Sequence, residues 1–334
     1  MIISRTPFRV SLFGGGTDYP RWYREHGGAV LGTAINKYCY ITVRPLPPFF
    51  EHKHRIVYAR IELVKAIDDI VHPSVRAVLQ EHPFESGIEI HHDGDLPARS
   101  GLGSSSSFTA GLLNALFALQ GKMITKRKLA EETIRIEQEI IGESVGSQDQ
   151  IWAAYGGLAR INFGTDGRFE VRPIVIPDVK RQELEQGLLL FFTGVSRYST
   201  DIAREKIANL DKRATQLRTM TQMVDEAEAI LTNPMRKMTE LGRLLHEGWR
   251  LKRELADSVS NAHIDEIYEA AMAAGATGGK LLGAGGGGFM AFLVEPGKRA
   301  AVTDRLSRLI HVPVGIGAAG SRIIVYEPDG QVDD

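Results

Sequence analysis

The stretch LPARSGLGSSSSFTAG, residues 96–111, limits the possible folds more than any other part of the chain. Gly101 and Gly103 allow positive φ and a close approach of backbone to ligand. A helix opening at Ser104–Ser107 then turns its unpaired N–H groups and the positive end of its dipole toward one point. That geometry holds phosphate without a cationic side chain, and the lysine of a P-loop is missing here. Phe108, Leu112, Leu116 and Leu119 give the helix an apolar stripe that ends at Gly121. One serine suffices as a cap. Four in succession exceed that need, and their hydroxyls suit Mg²⁺ ligation.

Any anion must be caught locally. The net charge is -1 over 334 residues, so no overall field attracts nucleic acid or an anionic membrane. A single cysteine, Cys39, excludes a disulfide framework and a four-thiolate zinc site. No run nears the ~18 apolar residues of a membrane span. The opening MIISRTPFRVSLF shows no signal-peptide pattern. The expectation is a cytoplasmic monomer or homodimer with no nucleic-acid or membrane partner.

The first 45 residues read as strands with turns, rich in β-branched and aromatic residues. Helices are predicted over 73–82, from Ser104 and over 126–141, a strand at GIEIHHDGDL, and a hairpin at 156–177 with DG at its turn. A domain boundary is expected at residue 165, giving domains 1–165 and 166–334. The second half opens with the buried strand GLLLFFTG and a long helical region over 199–258, divided at Pro234. A helix at HIDEIYEAAMAAG, the glycine loop and strand of KLLGAGGGGFMAFLVEP, and a helix–strand–strand tail follow. The pattern is α+β with glycine loops in both halves.

Two further glycine stretches matter. RVSLFGGGTDYP, residues 9–20, delivers Thr17, Asp18 and Tyr19 at a turn; alone, an Asp there reads more readily as an Asx cap than as a ligand. In KLLGAGGGGFM, residues 280–290, Gly283, Gly285 and Gly288 match G-x-G-x-x-G. This loop precedes a strand late in the chain, whereas a dinucleotide fingerprint opens a helix in a βαβ unit. A dehydrogenase is therefore disfavoured. His52, His54, His91 and His92 lack the spacing of a helical zinc pair and read as surface histidines.

In this order the three stretches resemble the kinase superfamily named for galactokinase, homoserine kinase, mevalonate kinase and phosphomevalonate kinase (GHMP kinases). Pro97, Gly101, Leu102, Gly103, Ser104 and Ser105 match its P-x-x-x-G-L-G-S-S-A loop, with Ser106 in place of alanine. RVSLFGGGTDY matches the galactokinase pattern R-V-N-L-I-G-E-H-T-D-Y, with Gly15–Gly16 replacing Glu-His. KLLGAGGGG matches the last motif. The resemblance implies a two-domain GHMP kinase fold, with an N-terminal domain like ribosomal protein S5 domain 2 and a ferredoxin-like C-terminal domain. ATP and substrate would lie between them, with Pro97 and Gly101–Ser106 holding ATP.

Glu137, Gly142 and Asp149 repeat the spacing of the galactokinase-like catalytic segment. By resemblance Asp149 takes or orients the acceptor hydroxyl proton, Arg9 steadies Asp149, and Ser105 and Glu137 hold Mg²⁺. Glu139 and Glu143 read as a solvated helix face. The HEGW-x-LKR helix and the GGGTDYP turn resemble the D-glycero-D-manno-heptose 7-phosphate kinases and fucokinase-like sugar 1-kinases. The implied acceptor is the anomeric hydroxyl of a sugar or sugar phosphate. Thr17, Asp18, Tyr19, Gly285, Gly286 and Arg197 are candidate acceptor residues. Arg197, Arg250, Lys252 and Arg253 are candidates for a second anion site. A kinase for an unphosphorylated sugar of the fucose or galactose type is the alternative. A non-catalytic sugar or nucleotide sensor is the reading from another class, and retention of Asp149, Ser105 and Glu137 speaks against it.

Overall fold

The computed structural model describes residues 1–84, 86–194 and 199–328. Strand β1 (Ile2–Phe13) pairs antiparallel with β2 (Gly28–Leu46). Between them Pro20–His26 forms a short helix, α1, where the sequence suggested only a turn. Proline suits a first helical position, and α1 buries Trp22 and Tyr23. The 19 residues of β2 serve two partners in succession along one edge. Its first part pairs with β6 (Leu158–Phe163) and its later part with β5 (Gly87–Gly94). With β3 (His54–Val57), β4 (Ile61–Val64), β7 (Phe169–Pro173) and β12 (Arg322–Tyr326) this makes an eight-stranded sheet, β12-β1-β2-β5-β3-β4, with β6 and β7 branching from β2. A division at residue 165 falls in the turn of the β6–β7 hairpin, both strands of which belong to this sheet, and β12 returns to it from the end of the described chain.

Helix α3 (Ser104–Leu119) lies on β1 and β2, with α2 (Pro73–Glu81), α4 (Lys126–Arg135) and α5 (Gln148–Tyr155) packed around it. It is apolar nearly all round, as a helix enclosed on every side must be. Ser4 Oγ donates to the Gly111 carbonyl at 2.8 Å, satisfying a buried hydroxyl where helix meets sheet. The predicted helix 126–141 ends as α4 at Arg135 and continues as a π-helical turn, Ile136–Ile140. Such turns are frequent at functional sites, and this one carries Glu137.

Helix α6 (Asp178–Gly187), which the sequence reading missed, leads into β8 (Leu188–Phe192). The long helical region is three helices, α7 (Ser199–Asn209), α8 (Ala214–Thr232) and α9 (Met238–Glu254). Pro234 stands in the second break, as expected. Helix α10 (Ala262–Ala273), β9 (Ala276–Leu281), β10 (Phe289–Val294), α11 (Arg299–Arg305) and β11 (Ile310–Val312) complete a second sheet in the order β11-β8-β10-β9. That order, with helices after the first and third strands, is the ferredoxin-like arrangement. Among the described residues no helix is long and apolar enough to cross a membrane.

The glycine loops of the two halves touch through their backbones. Gly101 has φ +82°, and a Cβ there would lie 2.6 Å from the Leu282 carbonyl oxygen. A Cβ on Gly283 would lie 2.5 Å from Gly101 Cα. The Phe289 N–H donates to the Ser100 carbonyl at 3.1 Å, and Lys280 Nζ donates to the Leu12 carbonyl at 2.8 Å. Only glycine meets both the conformation and the approach. Gly101→Ala is expected to lower unfolding stability by about 1–3 kcal/mol, measured as a lower denaturant midpoint at unchanged slope.

Candidate active site

A cavity of about 370 Å³ opens where these loops meet, lined from both halves of the chain. On one wall stands the start of α3. Gly103 is its left-handed N-cap, and Ser104, Ser105 and Ser106 face the cavity. The first-turn N–H groups there have no helical partner, a geometry suited to an anion.

Asp149 sits in the first turn of α5, a helix the sequence reading did not anticipate, and lines the same cavity. Arg9, on β1 and 4% exposed, clamps it from behind: Nε donates to Oδ1 at 2.7 Å and Nη2 to Oδ2 at 2.6 Å. Its remaining Nη1 donates to the Gly101 carbonyl at 2.6 Å, and its main-chain N–H to the Leu102 carbonyl. A fork-on-carboxylate pair fixes direction as well as charge. Each carboxylate oxygen keeps a further acceptor site for a hydroxyl.

Asp18 lies across from Asp149. The Gly16 N–H donates to Oδ1 and Gln148 Nε2 to Oδ2, both at 2.9 Å. Burial pushes its carboxyl above the ordinary range, and the Asp149 charge adds to that. The chain from Glu143 to Gln148 closes over it, with Gly146 so near Asp18 Oδ2 that no side chain fits. Tyr19 is nearly buried beside it and lines the cavity.

Three lysines complete the wall. Lys206 (α7), Lys252 (α9) and Lys280 (β9) are each 5% exposed, and each ammonium donates to main-chain carbonyls. Burial lowers Lys206 to about 8 and Lys280 to about 7, and Lys252 falls well below its usual value.

Several expectations change. Thr17 is not in the wall: its single O–H, 2.8 and 2.9 Å from the Gly14 and Ala29 carbonyls, is shared between them, and its oxygen accepts from the Ala29 N–H, which locks the turn. Gly285 and Gly286 turn away and pack on Val259, while Gly283 and Ala284 face the cavity. Leu102 is core, and Pro97 is exposed outside the wall. Arg197 lies outside the described residues. Arg250 and Arg253 are exposed and bonded to Glu247 and Asp265. Lys252 instead follows Leu241, Leu245 and Trp249 along the buried stripe of α9, a spacing that marked it inward-facing. Lys206 shares the stripe of Ile202, Ala203 and Leu210 in the same way. Glu143 lines the cavity, whereas Glu139 is solvated. His54 is buried and is not a surface histidine, and the half-buried His92 packs edge-on against Phe108. Among the described residues no group of three His, Cys, Asp or Glu side chains is placed to hold a metal.

The description "GHMP kinases N terminal domain" matches residues 66–157, and "GHMP kinases C terminal" matches residues 227–311. The chain belongs to the GHMP kinases. These are ATP-dependent enzymes with sugar or other hydroxyl acceptors, and the chain is a phosphotransferase of that kind. It is 29% identical over 308 residues to the D-glycero-alpha-D-manno-heptose 7-phosphate kinase of Campylobacter jejuni, covering 89% of this chain and 91% of that protein. It is 25% identical to the galactokinase of Pyrococcus furiosus, covering 92% and 93%. The structure of a D-glycero-D-manno-heptose 1-phosphate kinase from Bacteriodes thetaiotaomicron shares its fold, with TM-score 0.73 at 23% identity over 98% of this chain and all of that one.

Behind the serine wall of this GHMP kinase lies Glu137, fully buried. Ser106 Oγ donates to Oε2 at 2.8 Å and Gln150 Nε2 at 2.6 Å, while Oε1 has no partner. The expected neighbour, Ser105, is exposed on the cavity wall; successive helical residues diverge by ~100°, and Ser106 is the one that meets Glu137. Burial, helped by the Glu143 charge, raises the Glu137 carboxyl to about 8, against the lowering pull of the Ser106, Gln150 and Thr109 side chains. A folded value above the unfolded one means stability is present below pH ~4.5 and lost as pH rises toward ~8. Glu137→Gln is expected to remove that loss. Thermal melts without divalent cation should show the variant gaining on wild type by a few kcal/mol between about pH 5 and pH 8.5.

Proposed function

We propose that the protein transfers the γ-phosphoryl group of ATP to the anomeric hydroxyl of a sugar, with D-glycero-D-manno-heptose 7-phosphate the favoured acceptor. The observation that carries this reading is the Arg9–Asp149 clamp, which faces the same cavity as the α3 N-terminus and Asp18. The amides of Ser104–Ser106 receive the phosphates. Asp18, held by Gly16 and Gln148, accepts from sugar hydroxyls. Asp149 accepts the hydrogen bond of the attacking hydroxyl, aims it in line and takes its proton as the new oxygen–phosphorus bond forms and the bond from the γ-phosphorus to the bridging oxygen breaks, releasing ADP. Arg9 fixes the carboxylate and balances its charge.

Mg²⁺ fits the residues present. The hydroxyls of Ser105 and Ser106 are hard oxygen donors at the phosphate wall, and the Glu137 carboxyl, with Oε1 unpartnered, is buried directly behind Ser106. When bound, the ion would neutralise charge across the β- and γ-phosphates. The heptose phosphate reading draws support from the Campylobacter relative and from the three lysines; the galactokinase relative favours a free sugar.

Asp149→Asn keeps the shape of the clamp but loses the proton acceptor. It is expected to bind ATP within about threefold of wild type while kcat falls on the order of 100-fold or more. Nucleotide titration and ADP release measure the two quantities. Wild-type turnover in the variant would remove Asp149 from the mechanism.

A further inference from the structure

We propose that Lys206, Lys252 and Lys280 form the receptor for a phosphate monoester on the acceptor, so that the enzyme takes a sugar phosphate rather than a free sugar. This rests on the kinase reading above and specifies its substrate class. The three side chains come from separate elements, α7, α9 and β9, and converge on one cavity. Lys206 Nζ donates to the Ala284 carbonyl, Lys252 Nζ to Leu281 and Gly283 at 2.6 and 2.8 Å, and Lys280 Nζ to Leu12 at 2.8 Å. An ammonium has three donors, so these four bonds leave five donors for a ligand. Among the described residues no carboxylate lies within ion-pair distance of any of the three.

Three buried ammoniums side by side repel one another and are poorly solvated. The acids on the wall do not balance them. Asp149 is taken by Arg9, and Glu143 feels Arg99. Asp18 is the cavity carboxylate whose charge acts on all three lysines. With all three lysines protonated and Asp18 ionised, the group carries two positive charges, the complement of a phosphate monoester of about −1.5 to −2. An entering dianion would also hold Lys206 and Lys280 in their charged forms, against the burial that lowers them to about 8 and about 7. The phosphates of ATP have their own receptor in the α3 amides, whereas the lysines share their wall with Asp18 and Tyr19.

The test compares wild type with Lys206→Met at saturating ATP and Mg²⁺, on heptose 7-phosphate and on the same heptose without phosphate. Inorganic phosphate serves as inhibitor. The proposal expects turnover of the phosphorylated sugar only. Losing one charge-assisted contact should raise its KM on the order of 10- to 100-fold, with the KM for ATP moving less than about twofold. Inorganic phosphate should compete with the sugar phosphate in wild type, a measurement that needs no variant to fold. Equal use of the free sugar, a rise in the KM for ATP instead, or phosphate competing with ATP alone would overturn the lysine receptor and leave the kinase reading standing. If no sugar is phosphorylated, the kinase reading fails, and calorimetry of inorganic phosphate decides the receptor separately. Binding to wild type that weakens in Lys206→Met supports it; equal or absent binding overturns it.

Discussion

The site depends on two glycine loops meeting backbone to backbone. Gly101 and Gly283 approach so closely that neither admits a side chain, and the Phe289 N–H reaches the Ser100 carbonyl beside them. One loop opens α3 in the first half of the chain, and the other joins β9 to β10 in the second. Their contact brings the α3 N-terminus, the Arg9–Asp149 clamp and the buried lysines to one cavity. Lys280 strengthens it by donating across the seam to the Leu12 carbonyl, and Lys252 holds the second loop by donating to the Leu281 and Gly283 carbonyls.

The charges in the cavity are arranged by kind of partner. Arg9 gives Asp149 a bidentate fork, which fixes the carboxylate in space. Asp18 receives only neutral donors and keeps a raised carboxyl. The lysines have neutral carbonyl partners and stay short of counter-charge. Glu137 is left with one orphaned oxygen. Burying such groups costs stability, and in the proposed reaction each would have a complement: a hydroxyl, a sugar, an anion and a cation.

Much of this was legible in the chain because it rests on local rules. The α3 N-terminus follows from glycines before serines, whereas the Arg9–Asp149 partnership, 140 residues apart in sequence, was an expectation only of the family resemblance. Residues whose role depends on packing were harder to read. Thr17 looked like a ligand beside Asp18, yet its hydroxyl serves the backbone of its own turn. Gly285 and Gly286 belong to the right motif but lie against Val259, while Gly283 and Ala284 just before them face the cavity. Lys252 was grouped with Arg250 and Arg253 by composition, and helical phase separates it from them. Lys206 carried only the weak signal of its helical stripe. The inward face of Glu143 follows from a loop whose path is set by contact with Asp18.

The central claim is transfer of phosphate from ATP to a sugar hydroxyl in this cavity. Phosphorus NMR of the purified protein with ATP, Mg²⁺ and D-glycero-D-manno-heptose 7-phosphate tests it most directly. A new anomeric phosphomonoester signal that grows in step with ADP, while the 7-phosphate signal persists, is the predicted result. ADP accompanied only by inorganic phosphate, or no ADP with any sugar offered, would contradict it.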